Sequence, residues 1–282
     1  MRRTRGPQLE VGGVACQVLA RPACMMEASP EEVSPMLNAE HVSHEARAAL
    51  SHFDTLFHAL TSLDVPEVHD SRTRIVYTLS LASIDFGRSC ARLMTDGFPF
   101  FVIPAAALHR AQMEHALRAA FFSGPATEAE IVRFKQNKDI LRRAPAGRTG
   151  RHQDKQKKMS ARDMAAIVEP LLVSLEILKT GHPVLGVVSA TYGPLSVLLH
   201  GGIGLVNSYT HSDGELGPDI APDAACEIIG HCAAFGIFAL VAAIQVAKNS
   251  ADEISKILEG PMASIDGFNA RLTARSAATK AP

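Results

Sequence analysis

Apolar positions recur at three- and four-residue spacing through most of the chain after Pro35, and no segment alternates polar and apolar residues with the β-branched enrichment of a sheet. The pattern predicts an all-α fold. Residues 38–63 keep Val42, Ala46, Leu50, Phe53, Leu56 and Leu60 on one face, an amphipathic helix that Pro66 ends. Asp70 or Ser71 then offers an N-cap for a second helix over 72–94, which Asp96-Gly97 closes. A third helix runs from about Pro104 to Phe122 and stops at Ser123-Gly124-Pro125. Thr127 with Glu130 three residues on is a capping-box pattern, and it starts a fourth helix through Ile131, Phe134 and Ile140. Ser160 or Asp163 restarts helix, with Met164, Ile167, Leu171, Leu175 and Leu178 carrying its apolar face to Gly181. Residues 184–200 follow as an apolar helix that Pro194 is expected to kink or restart and His200-Gly201-Gly202 to end. Residues 201–222, rich in Gly, Asp and Ser, read as loop, and a last long helix covers 223–249.

The expected architecture is a single helical bundle of about six main helices over 37–259. It is flanked by a disordered N-terminal extension over 1–36 and, after the Gly-Pro that follows Glu259, by a flexible tail over 260–282. Short connections imply antiparallel neighbours. Two apolar stretches, 184–206 and 228–247, approach the length of a membrane span. Pro194, Gly201-Gly202, His200, His231 and Gln245, together with few flanking basic residues, make them buried bundle helices instead, so no membrane association is expected.

Of 282 residues, 47% are apolar and 20% charged, enough for a sizeable core and far from a disordered composition. The net charge of −1 conceals an uneven distribution. Nine Lys and Arg lie between Lys135 and Lys158 against only Asp139 and Asp154, a long basic loop near 143–159. It has the charge to meet RNA phosphates, but no interleaved aromatics for stacking bases. Five cysteines, odd in number and without a Cys-x-x-Cys pair, indicate neither a disulfide framework nor a zinc ribbon and fit a reducing, cytoplasmic setting. The N-terminus begins with basic residues, yet Glu10, Gly12-Gly13 and Gln17 interrupt its apolar run too early for an export signal.

The candidate chemistry sits on the third helix. Over 98–122 apolar side chains fall on nearly every side, which places this helix in the middle of the bundle. Arg110, Glu114 and Arg118 recur at i, i+4 and i+8 and form a charged ladder along one stripe. Buried charges must be paired, and an Arg–Glu–Arg series pairs within the helix while leaving guanidinium donors for a second partner. Glu114 and Arg118 are therefore binding candidates. So is His200, an imidazole able to exchange protons near neutral pH beside the ladder. A structural network that fixes helix register explains the same residues without a ligand.

Arg110 and His115 also fit the Arg-x(4–6)-His pattern, and in this the chain resembles the HEPN superfamily of bacterial helical domains, with Ala111 where that family usually has a polar residue. The resemblance implies catalytic roles for Arg110 and His115 in a metal-independent ribonuclease or toxin acting on RNA. Two residues five apart stand 140° from each other on a straight helix, so facing one phosphate takes either a local distortion of the helix or dimer-related copies around it. The chain also resembles a set of bacterial helical proteins of unknown function sharing an Arg-x3-Glu-x3-Arg helix and a downstream His-Gly-Gly. Here these are Arg110, Glu114, Arg118 and His200-Gly201-Gly202, within about 45–247. That resemblance implies a common fold and internal site and carries no activity. His41-x2-His44 and Asp54-x3-His58 lack the specific spacing of a metal motif, so no metal or cofactor is expected. Two expectations result: a non-catalytic helical protein whose Arg/Glu/His network binds a small anion or a partner, and, as the alternative, a HEPN-like homodimeric ribonuclease.

Overall fold

A computed structural model describes residues 39–65, 70–141, 157–174, 183–200, 203–210, 217–218 and 220–278, and every element of three or more residues among them is helical. In chain order these are α1 (Ala39–Thr61), α2 (Ser71–Gly97), α3 (Val102–Ser123), α4 (Glu128–Lys135), α5 (Ala161–Ser174), α6 (Pro183–Leu199), α7 (Ile203–Asn207), α8 (Pro222–Ile244) and α9 (Ala251–Ala278). The all-α bundle expected from the sequence is the fold observed.

Side-chain caps set where several of these helices begin. Asp70 accepts hydrogen bonds from the backbone N–H of Arg72 (3.2 Å) and Thr73 (3.0 Å), which supplies two of the amides at the start of α2 that lack an intrahelical acceptor. The Thr73 hydroxyl on the same carboxyl, helped by those amides, holds Asp70 below the usual carboxylate range. Thr127 and Glu130 form the anticipated capping box for α4. Ser160 and Asp163 exchange the same pair of bonds at the start of α5, and Ser250 and Glu253 do so for α9. At the other end of α3, the guanidinium of Arg72 donates to the carbonyls of Phe122 (2.7 Å) and Ala126 (2.9 Å) and pairs with Glu128. Terminal carbonyls that no helix bond can reach are thereby satisfied.

Four helices make the core. Ser43 Oγ donates to the carbonyl of Thr95, placing the start of α1 beside the end of α2, and the Arg72 contacts place the start of α2 beside the end of α3. These are the antiparallel neighbours that short connections imply. α8 packs against α1, α2 and α3 together, and from Ala225 to Ile244 only Glu227 escapes burial. It alone among the described helices is long and apolar enough to cross a membrane, and 94% of its apolar window is buried within the bundle, as in a core helix. Gln245 stands exposed at its C-terminus. The most enclosed position belongs to α8, while α3 lies between this core and an outer pair, α5 and α6, that packs on its other side, in the middle of the bundle as its all-round apolar pattern predicts.

Where α3 meets α8 the core is polar. Gln112 donates to the Cys232 carbonyl at 2.8 Å and accepts from, or shares a proton with, His109 Nδ1 at 3.2 Å. The Cys232 thiol lies 3.2 Å from the same nitrogen and 3.4 Å from the Cys90 thiol of α2. Burial pushes the Cys232 thiol up, keeping it protonated. His109 stacks on His231, with ring centroids 6.1 Å apart. Glycines make room for this layer. A Cβ on Gly87 would overlap both the Phe53 ring and the Gln112 amide, and one on Gly236 would stand 2.6 Å from Leu56 Cδ1 and 2.9 Å from Phe53 Cε1.

Several boundaries differ from the sequence reading, each for a local reason. α4 stops at Lys135 instead of reaching Ile140, because Gln136 folds its N–H back onto α4 carbonyls and Asn137 takes the left-handed φ of 55°. α6 runs through Pro194 unbroken, and a short helix, α7, occupies part of the expected loop over 201–222. The tail expected after Glu259 is instead the second half of α9. Pro261 lies inside that helix, and Ile254, Leu258, Ile265 and Phe268 are buried, holding one face against the bundle, chiefly α1, on both sides of the proline. Within the basic loop, Met159 is buried and donates its N–H to the Ile140 carbonyl, while Lys158 pairs with Asp139 at 2.8 Å. The expectations for 1–36, for most of the basic loop (142–156) and for 175–182 fall outside the described residues.

Close packing at Gly87 gives a direct test. Gly87→Ala is expected to lower the urea midpoint by the equivalent of about 1–3 kcal/mol, the usual penalty of overpacking. Gly186→Ala on α6, where the new methyl meets nothing within 4 Å, is expected to gain about 0.5–1 kcal/mol from reduced chain entropy. Equal effects at the two sites would show that α2 and α3 are not in close contact there.

The buried histidines generate a second. Burial lowers His52 to about 4 and His109 to about 4, and burial with the neighbouring His109 lowers His231 to about 3. The fold keeps all three neutral, whereas the unfolded chain takes up protons below about 6.5. Stability is then complete above pH 6.5 and falls as pH drops from 6.5 towards 4, with up to about 1.4 kcal/mol lost per pH unit per histidine. The acid-unfolding transition is expected inside that window with uptake of about three protons. His52 makes no hydrogen bond of good geometry, only a looser contact with the Ala233 backbone. His52→Leu is therefore expected to remove about one proton from the uptake and move the acid midpoint lower; an unchanged uptake would refute the assignment.

Candidate functional site

The charged ladder of α3 faces outward from the core, toward α5 and α6. Helix phase dictates this. Gln112 points into the core, and Arg110 and Glu114, each two residues or roughly 200° of turn away, must face the opposite side. Arg110 is 17% exposed, Glu114 27% and Arg118 33%, so the buried network expected from the sequence is a half-buried one. Glu114 stands between its neighbours, with Oε1 3.4 Å from an Arg110 terminal nitrogen and Oε2 3.7 Å from one of Arg118.

Tyr192 of α6 completes the arrangement. Its hydroxyl donates to Glu114 Oε1 at 2.7 Å and accepts from Arg110 at 3.0 Å, while the Arg110 guanidinium lies 4.8 Å above the centre of the phenol ring. Burial, partly opposed by the Arg110 hydrogen bond and reinforced by the Glu114 carboxylate, raises the Tyr192 pKa above its usual value, so the hydroxyl keeps its proton and remains a donor. α6 is set in place by a buried carboxylate: Glu169 of α5 accepts the N–H of Leu185, in the first turn of α6, at 2.8 Å.

Between these elements lies an open pocket of about 380 Å³, lined on one side by Arg110, Glu114, Leu117 and Arg118, on the other by residues 158–161 and Met164, and bordered by Tyr192. Some of its polar groups are already occupied. Lys158 is held by Asp139, and the Ser160 hydroxyl takes part in the cap of α5. Others are not. Among the described residues Arg118 makes no hydrogen bond beyond its ion pair, and the buried Nε of Arg110 has no acceptor. The first turn of α5 also borders the pocket through Ser160 and Ala161, but its cap takes up the amides of Ser160 and Asp163, and the Asp163 carboxylate already answers the helix dipole there.

The candidates from sequence divide. Arg110, Glu114 and Arg118 come together around this pocket. His115 does not join them. Its ring lies 5.2 Å from that of Phe86 on α2, and its Nδ1–H donates to the Ala111 carbonyl at 2.6 Å, so within one chain Arg110 and His115 do not address a common phosphate. His200 does not join them either. It is exposed just past the end of α6, with its N–H on the Ser196 carbonyl, eight residues or about 12 Å of helix rise beyond Tyr192. Asp54, paired in sequence with His58, is engaged by Arg88 at 2.8 Å. Tyr192, Met159 and Met164 were not legible as site residues. Tyr192 lies 82 residues from its Arg110 partner, and its only signal was as a phenol in a stretch without charges.

Compared with known protein families, curated proteins and solved structures, the chain matches none, so the site is interpreted from its own geometry.

Partial exposure changes what the ladder is worth. Glu114→Ala removes two ion pairs and the acceptor of the Tyr192 hydroxyl, but the arginines keep contact with water. The expected loss is about 1–2 kcal/mol, below the roughly 3–5 kcal/mol of a sealed pair. Glu114→Gln keeps an acceptor for Tyr192 and is expected to lose about half as much. Urea midpoints of the two variants check this, and a loss above about 3 kcal/mol for either would mean that the ladder is sealed from solvent.

Proposed function

We propose that this is a non-catalytic, cytoplasmic helical-bundle protein of bacterial type that binds a small anion in the pocket between α3, α5 and α6. The observation that carries the reading is the pairing of two guanidinium groups with a single carboxylate at the wall of an open pocket, with spare donors on Arg118 and Arg110. The buried Nε of Arg110 carries most of the weight, because a buried donor without a partner is destabilising, whereas the Arg118 donors are open to solvent and to a ligand alike. Kinship with the helical family that shares the Arg-x3-Glu-x3-Arg helix belongs to this reading and adds no activity to it.

The HEPN-like ribonuclease alternative has less support. It requires a second copy of the chain to bring His115 to Arg110, since within one chain His115 is turned toward Phe86. RNA binding through the basic loop concerns residues mostly outside those described.

Thermal unfolding in the presence of small anions tests the proposal. An anion at a hundred times its Kd is expected to stabilise the protein by about 2.7 kcal/mol, a rise in Tm of about 5–10 °C, with saturation at one site. Arg118→Met, a partly exposed position, is expected to fold normally and lose the shift. Identical shifts in the two proteins would overturn the reading. Cleavage of RNA by the wild type that both Arg110→Ala and His115→Ala abolish would replace it with the ribonuclease.

A further inference from the structure

We infer, resting on the anion-binding reading above, that the ligand of this pocket is a monocarboxylic acid with an apolar body, held with its carboxylate on Arg118 and its body against Leu117, Met159 and Met164. Charge sets the valence. Arg110 and Arg118 share one carboxylate, and Lys158 is compensated by Asp139 at 2.8 Å, which among the described residues leaves a single positive charge facing the pocket. A dianionic phosphate would bring its second charge against Glu114, which stands between the arginines.

Geometry sets the head group. The planar guanidinium fork of Arg118 has no hydrogen bond among the described residues, and a carboxylate matches two of its parallel N–H groups.

The walls set the rest of the molecule. Leu117, Met159 and Met164, largely buried already, supply the apolar part of a lining that is otherwise polar, and an apolar surface placed there is removed from water. Methionine, unbranched and polarisable, adapts to chains of differing shape. Among the described residues Tyr192 is the only aromatic ring on the lining, and the Arg110 guanidinium covers one face of it at 4.8 Å, which leaves a nucleobase at most one face to stack on. The volume of about 380 Å³ equals that of about a dozen waters, which sets the ligand at roughly ten to fifteen non-hydrogen atoms.

Calorimetric titration of the full chain with a series of straight-chain acids from acetate to dodecanoate, and with octan-1-ol, inorganic phosphate and adenosine monophosphate, tests this. Affinity is expected to rise about fourfold per methylene and to level off near octanoate or decanoate, where the pocket is full. Binding saturates at one site, is at least tenfold weaker for octan-1-ol, and falls at least tenfold for octanoate in Arg118→Gln. That variant is checked for an unchanged ligand-free Tm, and Met164→Gln is expected to flatten the chain-length series while retaining weak binding of the short acids. Phosphate or adenosine monophosphate binding through Arg118, with no dependence on acid chain length, would overturn the ligand class and leave the anion reading standing. Binding of octanoate that Arg118→Gln does not weaken, or binding by none of these anions, would overturn both.

Discussion

The close approach of three helices around Phe53 is the constraint from which the rest of the molecule follows. Gly87 of α2 and Gly236 of α8 both give their missing side-chain volume to that ring, and Gln112 of α3 uses the space beside Gly87 to reach the Cys232 carbonyl. In a regular helix that carbonyl also accepts the N–H of Gly236, so the inter-helix bond lands at the turn where the backbones are nearest. A buried amide allows little slippage, because moving it by one residue strands its donor in an apolar layer. The rotation of α3 is thereby fixed. Once Gln112 and His109 face inward, the arginines and Glu114 can only face outward, and it remains for α5 and α6 to close a pocket over them.

Much of the fold was legible because it is governed by local chemistry. Helix starts at Asp70, Thr127 and Ser160 are written in a few adjacent residues, and the structure uses each as a cap. Helix ends were less legible. Gly260-Pro261 carries the local signature of a stop, yet Ile254, Leu258, Ile265 and Phe268 continue one apolar stripe across it, and their burial outweighs one missing hydrogen bond. At Pro194 the helix does not restart but continues to Leu199. At Gly260-Pro261 a distant surface decided an outcome that the local residues left open.

The site was half legible. Three charges at helical spacing announce themselves in any reading of α3, but their degree of exposure depends on what covers them, and that is chain from 40 to 80 residues further on. Tyr192 is the clearest instance, as it braces Arg110 and Glu114 together without belonging to any motif they form. His200 and His115 illustrate the reverse: proximity in sequence or in pattern placed them beside the ladder, and helix phase and helix length carry them away from it.

The position of α9 has a bearing on how the protein is made. Its Arg271 approaches the buried Glu45 at 3.6 Å and its Gly260 abuts Thr55, so it roofs the first described helix with the last described one. The chain between Thr61 and Ala251 takes roughly 10–40 s to emerge from a ribosome. For that interval the nascent chain has an uncovered flank on α1, including an acidic side chain awaiting its arginine. That flank is covered only once α9 docks, so the packing of the first described helix is completed after the four-helix core has been made.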